Sequence, residues 1–350
     1  MRRTPAWTAT GSAGLRTAPL ERRDLRPDDV AVRVDYCGVC HTDLHALRSH
    51  ASDSADPLVP GHEFTGVITD VGSAVRHFAV DDAVAVGNIV DACLACDMCE
   101  AGQENFCREF PTLTYGGTDR QDGRPTFGGF SREYVVREEF VYALPDSLDP
   151  AAAAPLLCAG ITVWEPLRAL DVGHNTRVAV VGLGGLGHLA VKLAVALGAE
   201  TTVISRSPDK TDDARRLGAR DVLVSTDADA MSAGRGRFDV IIDTVAVAHD
   251  LGPYLALLAL DGTLSQVGFL GPVSVDSLDL LIGRKKLTSA GSGGRAHTAE
   301  LLEFCAEHDV VAEIELLPSA RVNESLERLA RGDVRYRFVL DMADLDALAD

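Results

Sequence analysis

The sequence predicts an α/β protein of two parts, a mostly-β domain and a doubly wound parallel-sheet domain. Three observations predict it. The chain has 350 residues and is 46% hydrophobic, which exceeds one ordinary domain and suffices for two cores. Its first 150 residues hold short β-like runs broken by Gly, Pro and Asp. From residue 151 onward, strand and helix patterns alternate, as in βαβ units that build a parallel sheet.

The elements follow in order. Val30–Val34, Thr65–Thr69, Ala83–Val86 and Glu133–Val136 read as strands, and few stretches among them show a helical period. Ala151–Pro155 reads as a helix start. A strand at Arg177–Val181 leads into a helix at Leu186–Leu197, and one at Thr201–Ile204 into a helix at Asp209–Leu217. Strands at Asp221–Val224 and Asp239–Ile242, a helix at Leu251–Leu260 and a strand at Gly262–Val267 continue the rhythm. After a helix at Thr298–Glu307, the strand-like Arg335–Leu340 is too short a tail for an independent domain. It is expected to rejoin the N-terminal one, giving domains of 1–157 plus 296–350, and 158–295.

A formal net charge of −19 sets the long-range field against phosphate, which excludes nucleic acid and anionic membrane as partners. The N-terminus lacks an apolar segment of signal-peptide length, and no apolar run reaches a membrane span. Four of the eight cysteines crowd between Cys93 and Cys107, which in a reducing compartment points to metal rather than disulfides. A cytoplasmic protein is expected.

Chemistry concentrates in Cys37-Gly-Val-Cys40-His41-Thr42-Asp43-Leu-His45 and Pro60-Gly61-His62-Glu63. These segments supply thiolates, imidazoles, a hydroxyl and carboxylates, a set able to bind zinc, orient its ligands and move a proton. A closed structural site takes four protein ligands, whereas a catalytic zinc keeps three and an open position. Spacing within the two segments does not reveal a third ligand. Cys93, Cys96, Cys99 and Cys107 form a separate group in which one loop can wrap a tetrahedral zinc. An iron–sulfur cluster is the rival occupant.

Val180-Val-Gly182-Leu183-Gly184-Gly185-Leu186-Gly187 places G-x-G-x-x-G between a strand and a helix. The first glycine permits the turn, the second lets backbone approach a pyrophosphate, and the third brings helix against strand. An NAD site would carry an acid about 20 residues on, at the ribose 2′-hydroxyl. Here the next strand ends in Ser205-Arg206-Ser207, with Lys210 close behind. Hydroxyl, guanidinium and ammonium groups in place of the acid favour NADP(H) over NAD(H).

With these pieces in order, the chain resembles the zinc-containing medium-chain alcohol dehydrogenases over nearly its whole length. Within them it is similar to the cinnamyl alcohol dehydrogenase branch and its bacterial broad-specificity aldehyde reductases. Further matches are Pro155-Leu-Leu-Cys158-Ala-Gly-Ile-Thr162-Val-Trp164 and Tyr336-Arg337-Phe-Val339. The resemblance implies a GroES-like catalytic domain, a Rossmann domain, and two zinc ions per chain, one catalytic and one structural. It implies Cys158 as the third catalytic ligand beside Cys40 and His62, with Glu63 tuning the metal. Asp43 would hold the far nitrogen of His62, and Thr42 and His45 would relay a proton. His41, Thr162, Val245, Val267, Gly268, Ser289, Ala290 and Arg337 would join the glycine turn in holding the cofactor.

By the same resemblance the reaction is reversible NADP(H)-linked reduction of aldehydes to primary alcohols, in a homodimer, with a tetramer possible. NAD-linked oxidation of secondary alcohols, polyols or a formaldehyde adduct is the alternative, and a non-catalytic dinucleotide sensor the remote one. Pocket candidates are Leu47, the segment before Pro60, Tyr115, Trp164, Gly268–Leu270 and Ser289–Gly293. Cys37 and Cys305 read as core residues. His77, His174, His249, His297 and His308 have no partner visible in sequence, and no role is expected of them.

Overall fold

The computed structural model describes residues 1–9, 14–50, 57–269 and 271–347. Two compact units divide the chain. The first comprises Met1–Cys158 and Gly293–Asp350, the second Ala159–Ser292.

In the first unit, β1 (Arg2–Ala9) and β2 (Leu15–Arg22) pair antiparallel, from Arg2 opposite Arg22 to Ala9 opposite Leu15. β3 (Asp29–Val39) pairs antiparallel with β4 (Phe64–Val71), and β4 with β5 (Ala83–Val86). Between β3 and β4 lies α1 (His41–His50), a helix that no sequence period announces. Its only buried residues are Asp43 and Leu44, so it carries no apolar stripe.

A small ladder of β6 (Ile89–Asp91) and β7 (Thr112–Leu113) frames the four-cysteine lobe, which contains the single turn α2 (Asp97–Glu100). β8 (Glu133–Arg137) pairs with β3, and β9 (Val141–Ala143) with β5. Asp149 accepts the Ala151 N–H at 3.0 Å and so caps α3 (Pro150–Ala153). A 3-10 turn, Ala154–Leu157, then delivers Cys158.

The second unit opens with α4 (Ala159–Ala169), β10 (Arg177–Val181), α5 (Gly187–Ala196) and β11 (Glu200–Ser205). It continues through α6 (Thr211–Arg216), β12 (Asp221–Val224), α7 (Ala228–Ala233) and β13 (Phe238–Asp243). α8 (Gly252–Leu257), β14 (Leu258–Gln266), α9 (Ser277–Leu281) and β15 (Lys286–Ser289) complete it. All six strands are parallel, in the order β12-β11-β10-β13-β14-β15. The chain runs outward from β10 to β12 and then crosses back to lay β13 beside β10. Strand order reverses there, so a crevice opens at the carboxyl ends of β10 and β13.

The expected helix at Leu251–Leu260 is cut short. It stops at Leu257, and β14 already begins at Leu258. The apolar run Leu255–Leu260 passes from helix into strand with no break in hydrophobicity, so period alone does not mark the change at Leu258. The Asp209–Leu217 helix likewise splits into a 3-10 turn at Pro208–Lys210 and α6.

The chain re-enters the first unit through α10 (Arg295–His308), β16 (Ile314–Pro318), α11 (Val322–Ala330) and β17 (Arg337–Asp341). β17 pairs parallel with β16 and antiparallel with β3, completing a seven-stranded sheet. Phe64, Ile68, Phe130, Phe140 and Phe338 lie fully buried in the core of this unit. The last strand starts two residues later than its pattern suggests, and Cys158 groups with the first unit rather than the second.

Candidate active site and metal centres

One buried carboxylate organises the first centre. β3 ends at Val39, Cys40 follows, and α1 places Asp43 in its first turn with no exposure. Asp43 Oδ2 accepts the Cys40 N–H at 2.9 Å, and Oδ1 accepts the Gly61 N–H at 3.0 Å. The same Oδ1 lies 3.1 Å from His62 Nδ1, which puts the ring hydrogen on Nδ1 and turns the Nε2 lone pair toward the thiols. Gly61 is required here. Its φ is +95°, and a Cβ would come 2.7 Å from Phe130 N and 2.9 Å from Cys37 Sγ.

Cys158 arrives from the far side of the sequence. Its Sγ lies 3.9 Å from Cys40 Sγ and 3.2 Å from His62 Nε2, and the three donor atoms lie within 4.8 Å of one another. Zinc–sulfur bonds of about 2.3 Å in a tetrahedral site put two thiolates about 3.8 Å apart, so the set fits zinc. The Cys158 thiol, aided by Arg337, holds Cys40 well below the usual thiol range despite burial. Cys158 itself is pushed well above it, first by its bond to Cys40 and then by burial. Two thiolates this close repel, and a cation between them removes the conflict.

Beside this set, Glu63 is fully buried, and burial pushes its carboxyl up to about 7 against the opposing Arg337 charge. Arg337, from β17, donates Nη2 to Glu63 Oε1. Glu63 Oε2 has no hydrogen-bond partner among the described residues. Thr42 and His45 lie exposed three residues apart on α1, hence on one face of it, with Thr42 Oγ1 3.6 Å from Cys40 Sγ. His41 is also exposed, its ring 6.4 Å from that of His45.

The second centre gathers Cys93, Cys96, Cys99 and Cys107, whose sulfurs also lie within 4.8 Å of one another. Cys93 Sγ is 3.8 Å, and Cys96 Sγ 3.6 Å, from Cys99 Sγ. Backbone N–H groups of Cys93 and Arg108 point at Cys107 Sγ and Cys96 Sγ, each at 3.5 Å. Such donors, from Arg108 and Cys99, push the Cys96 thiol down to about 6, while burial pushes Cys99 up to about 12. Four thiol donors around one point fit a closed structural zinc. Within the lobe, buried Glu104 accepts the Arg295 N–H at 2.9 Å and its Nε at 2.9 Å, capping the start of α10.

In the second unit, β10 runs into the glycine turn. Gly182 has φ +88°, and a Cβ on Gly187 would lie 2.0 Å from the Gly182 carbonyl, so strand and helix meet only because both are glycine. Gly184 is exposed with nothing within 4 Å of a Cβ position, leaving backbone open for a phosphate at the start of α5. At the end of β11, Ser207 Oγ accepts the Asp209 N–H at 3.1 Å. Arg206 is exposed beside it, with its carbonyl held by Thr226 Oγ1 at 3.0 Å. Ser205 and Lys210 flank this segment and are half-buried. The residues present fit a phosphorylated dinucleotide.

Two family descriptions match the sequence, an alcohol dehydrogenase GroES-like domain over residues 26–146 and a zinc-binding dehydrogenase over 185–307. The NADP-dependent alcohol dehydrogenase C 1 of Mycolicibacterium smegmatis is 47% identical over 97% of this chain and 98% of its own. A Sorghum bicolor cinnamyl alcohol dehydrogenase structure superposes with a TM-score of 0.92 at 43% identity, covering 97% of this chain and 98% of that one. A Helicobacter pylori cinnamyl alcohol dehydrogenase complexed with NADP(H) gives 0.89 at 33% identity, covering 97% and 98%. The chain belongs to the zinc-containing medium-chain alcohol dehydrogenases.

In this dehydrogenase the remaining expected residues fall as follows. Leu183 is buried, while Gly185 and Leu186 are half-buried on the turn. Val267 and Gly268 donate their N–H groups to the Asp243 carbonyl at 2.9 and 3.1 Å, and Val245 donates to the Asp243 carboxylate at 3.0 Å. Ser289 Oγ donates to Gln266 O at 2.8 Å, with Ala290 directly after it, and Thr162 Oγ1 accepts the Ser292 N–H at 3.4 Å. Arg337, expected at the cofactor, is 5% exposed and bonded to Glu63 in the first unit. Tyr115 packs 5.8 Å from the His62 ring, and Trp164 is buried. Leu47 is half-buried, and Leu270 lies outside the described residues.

Three histidines without an expected role have neighbours in the fold. His297 Nδ1 lies 3.3 Å from Gln103 of the cysteine lobe, and His308 packs 4.2 Å from Phe304. His249 meets the buried Asp243. Phe304 and His308 are four residues apart on α10 and so share a face, whereas no local motif joins the other two pairs.

Proposed function

We propose that this dehydrogenase interconverts aldehydes and primary alcohols with NADP(H), using a catalytic zinc at Cys40, His62 and Cys158. The carrying observation is that the first centre gathers three donors and the second gathers four. Three ligands leave a coordination position for substrate oxygen, whereas four thiolates close the site. Serine and arginine in place of the ribose-binding acid support NADP(H) over NAD(H).

Bound zinc supplies a Lewis acid for the substrate oxygen, and bound NADPH supplies hydride for the carbonyl carbon. The protein's residues do the rest. Asp43 fixes the His62 tautomer and ties the Cys40 and Gly61 backbones into one unit. The Arg337 guanidinium balances the buried carboxylate of Glu63, which otherwise adds negative charge beside two thiolates. Thr42 and His45 share the exposed face of α1 and form a path for a proton between the site and water.

We further propose a homodimer through the second unit. β15 is one of the two edges of the sheet, and Leu260, Leu278, Leu281 and Ile282 stand exposed around that part of the chain. A bare edge with apolar side chains beside it is a template for a second strand. Among the described residues no helix is long and apolar enough to cross a membrane. Eight free cysteines suit a reducing cytoplasm.

The test is a steady-state screen of aldehydes with NADPH and NADH, before and after chelation, with zinc counted in parallel. Cys158→Ala is expected to lose one of two zinc ions and essentially all turnover while still binding NADPH. Full activity in zinc-free protein would overturn the mechanism.

A further inference from the structure

Arg22, the last residue of β2, is 7% exposed, and four of its five N–H donors are engaged inside the first unit. Nε donates to the Glu133 carbonyl at 2.9 Å and Nη1 to the Phe127 carbonyl at 2.6 Å. Nη2 donates to the Gly128 carbonyl and to Ser131 Oγ, each at 2.7 Å. All four acceptors are uncharged. Burial brings the guanidinium down to about 10, which still leaves it protonated at neutral pH. Taking a cation out of water is costly, and neutral acceptors only offset that cost. What the arrangement gains is shape, because one planar fork fixes four groups of segment 127–133 at once.

That segment clasps the turn that carries His62. Gly128, Gly129 and Phe130 donate their N–H groups to the Val59, Gly61 and Pro60 carbonyls at 2.7, 2.8 and 2.9 Å. The two strips lie too close for a side chain, since a Cβ on Gly128 would stand 2.1 Å from the Pro60 carbonyl oxygen. β1 holds the far end of the clasp, where the Trp7 N–H meets the Phe130 carbonyl at 2.8 Å, and Arg22 holds the near end. A second route runs through Tyr134. The guanidinium lies 4.3 Å from the centre of that ring, and Tyr134 Oη donates to the Thr114 carbonyl at 2.8 Å. Next along the chain, Tyr115 sets its ring 5.8 Å from the His62 ring. Both routes end on one residue, the first at its backbone and the second at its ring.

We propose that Arg22 is a positioning residue of the catalytic centre, holding segment 127–133 and Tyr134 so that His62 stays aimed at Cys40 and Cys158. The proposal rests on reading Cys40, His62 and Cys158 as the catalytic zinc site. Arg22 bonds to none of the three ligands and acts through the groups it holds. Loss of the fork frees the near end of the clasp and the Tyr134 ring together, which loosens one metal ligand of three. None of these bonds involves the four-cysteine lobe, so its metal is the internal control. A lysine cannot stand in for the arginine, because it has three donors on one nitrogen and no planar face.

The experiment compares wild type, Arg22→Lys and Ser131→Ala, each purified with zinc. Release of each zinc ion to a chelator is timed, the catalytic zinc is exchanged for cobalt(II) to record its visible spectrum, and melting temperatures are measured. Arg22→Lys should release the catalytic zinc about tenfold faster and the lobe zinc at the wild-type rate. Its cobalt band, which reports thiolate and imidazole geometry, should shift. Turnover should fall about tenfold, with the NADPH Michaelis constant within about twofold of wild type. Ser131→Ala deletes one of the four acceptors and keeps the guanidinium; it should move the same readouts by about threefold, and it decides the matter if Arg22→Lys does not fold. Wild-type release rates and cobalt spectra in the folded variants would overturn the proposal. So would equal loss of both zinc ions with a lower melting temperature, the result for a residue that serves stability alone. Wild type that holds zinc only in the lobe would instead remove the reading of the first centre as a metal site, while amide exchange at Gly128–Phe130 in the three proteins would still report whether Arg22 holds the clasp.

Discussion

Asp43 shows how much one residue does at the first centre. Its two oxygens meet the Cys40 N–H, the Gly61 N–H and the His62 ring, so two chain segments and one ligand orientation depend on a single buried carboxylate. Asp43→Asn keeps the side-chain volume, removes the charge behind His62 and sets an amide donor where one oxygen accepts; it should weaken catalytic zinc retention roughly 10- to 100-fold, read by competition with a chelator. Unchanged retention would remove Asp43 from the metal's support. At the cofactor end, Arg206→Ala should raise the NADPH Michaelis constant by about tenfold or more and leave that for NADH nearly unchanged. Equal effects on both cofactors would mean that Arg206 does not meet a 2′-phosphate. Cys40, His62 and the glycine turn were legible because their chemistry is local in sequence. Cys158 lies 96 residues from His62, so only family resemblance pointed to it. Arg337 was expected at the cofactor, whereas the structure bonds it to Glu63, 274 residues away, a partner that no local pattern reveals.

Elements with a strong period were read correctly, and the weak ones were not. β10, β11 and β13 follow their apolar runs closely, since successive residues on both faces of each are buried. α1 was missed because a helix with two buried residues leaves no stripe to read. The Leu255–Leu260 run satisfies both a helix and a strand, and the parallel pairing of Leu258 with Phe238 of β13 decides for a strand from Leu258. The cysteine lobe was the most legible element because its ligands sit within fifteen residues of one another, from Cys93 to Cys107. With little regular structure of its own, the lobe depends on its metal. Cys99→Ser, at a buried ligand, should release the second zinc and lower the melting temperature by several degrees, read by calorimetry with metal analysis. A folded lobe that binds zinc stoichiometrically in that variant would refute the four-thiolate site.

For the whole molecule, the alternation of strands and helices carried the parallel sheet. The unpaired edge could not be read, because an edge strand becomes one only when its neighbour is known. If the proposed homodimer forms through this edge, Leu281→Glu, on an exposed apolar position of α9, converts it to monomer without unfolding it, measured by light scattering. A dimer that survives both this change and Ile282→Glu uses another surface.

The Glu104–Arg295 contact has a consequence for how the protein is made. The two residues stand 191 positions apart, and Arg295 opens the segment that brings β17 to β3. During synthesis at about 5–20 residues per second, the cysteine lobe is out of the ribosome roughly ten to forty seconds before its helix partner exists. In that interval the lobe can load its metal, but its carboxylate has no helix start to cap and β3 lacks the β17 side of its pairing. The first unit to begin is therefore the last to finish, and the nascent chain must carry an open sheet edge until the final sixty residues arrive.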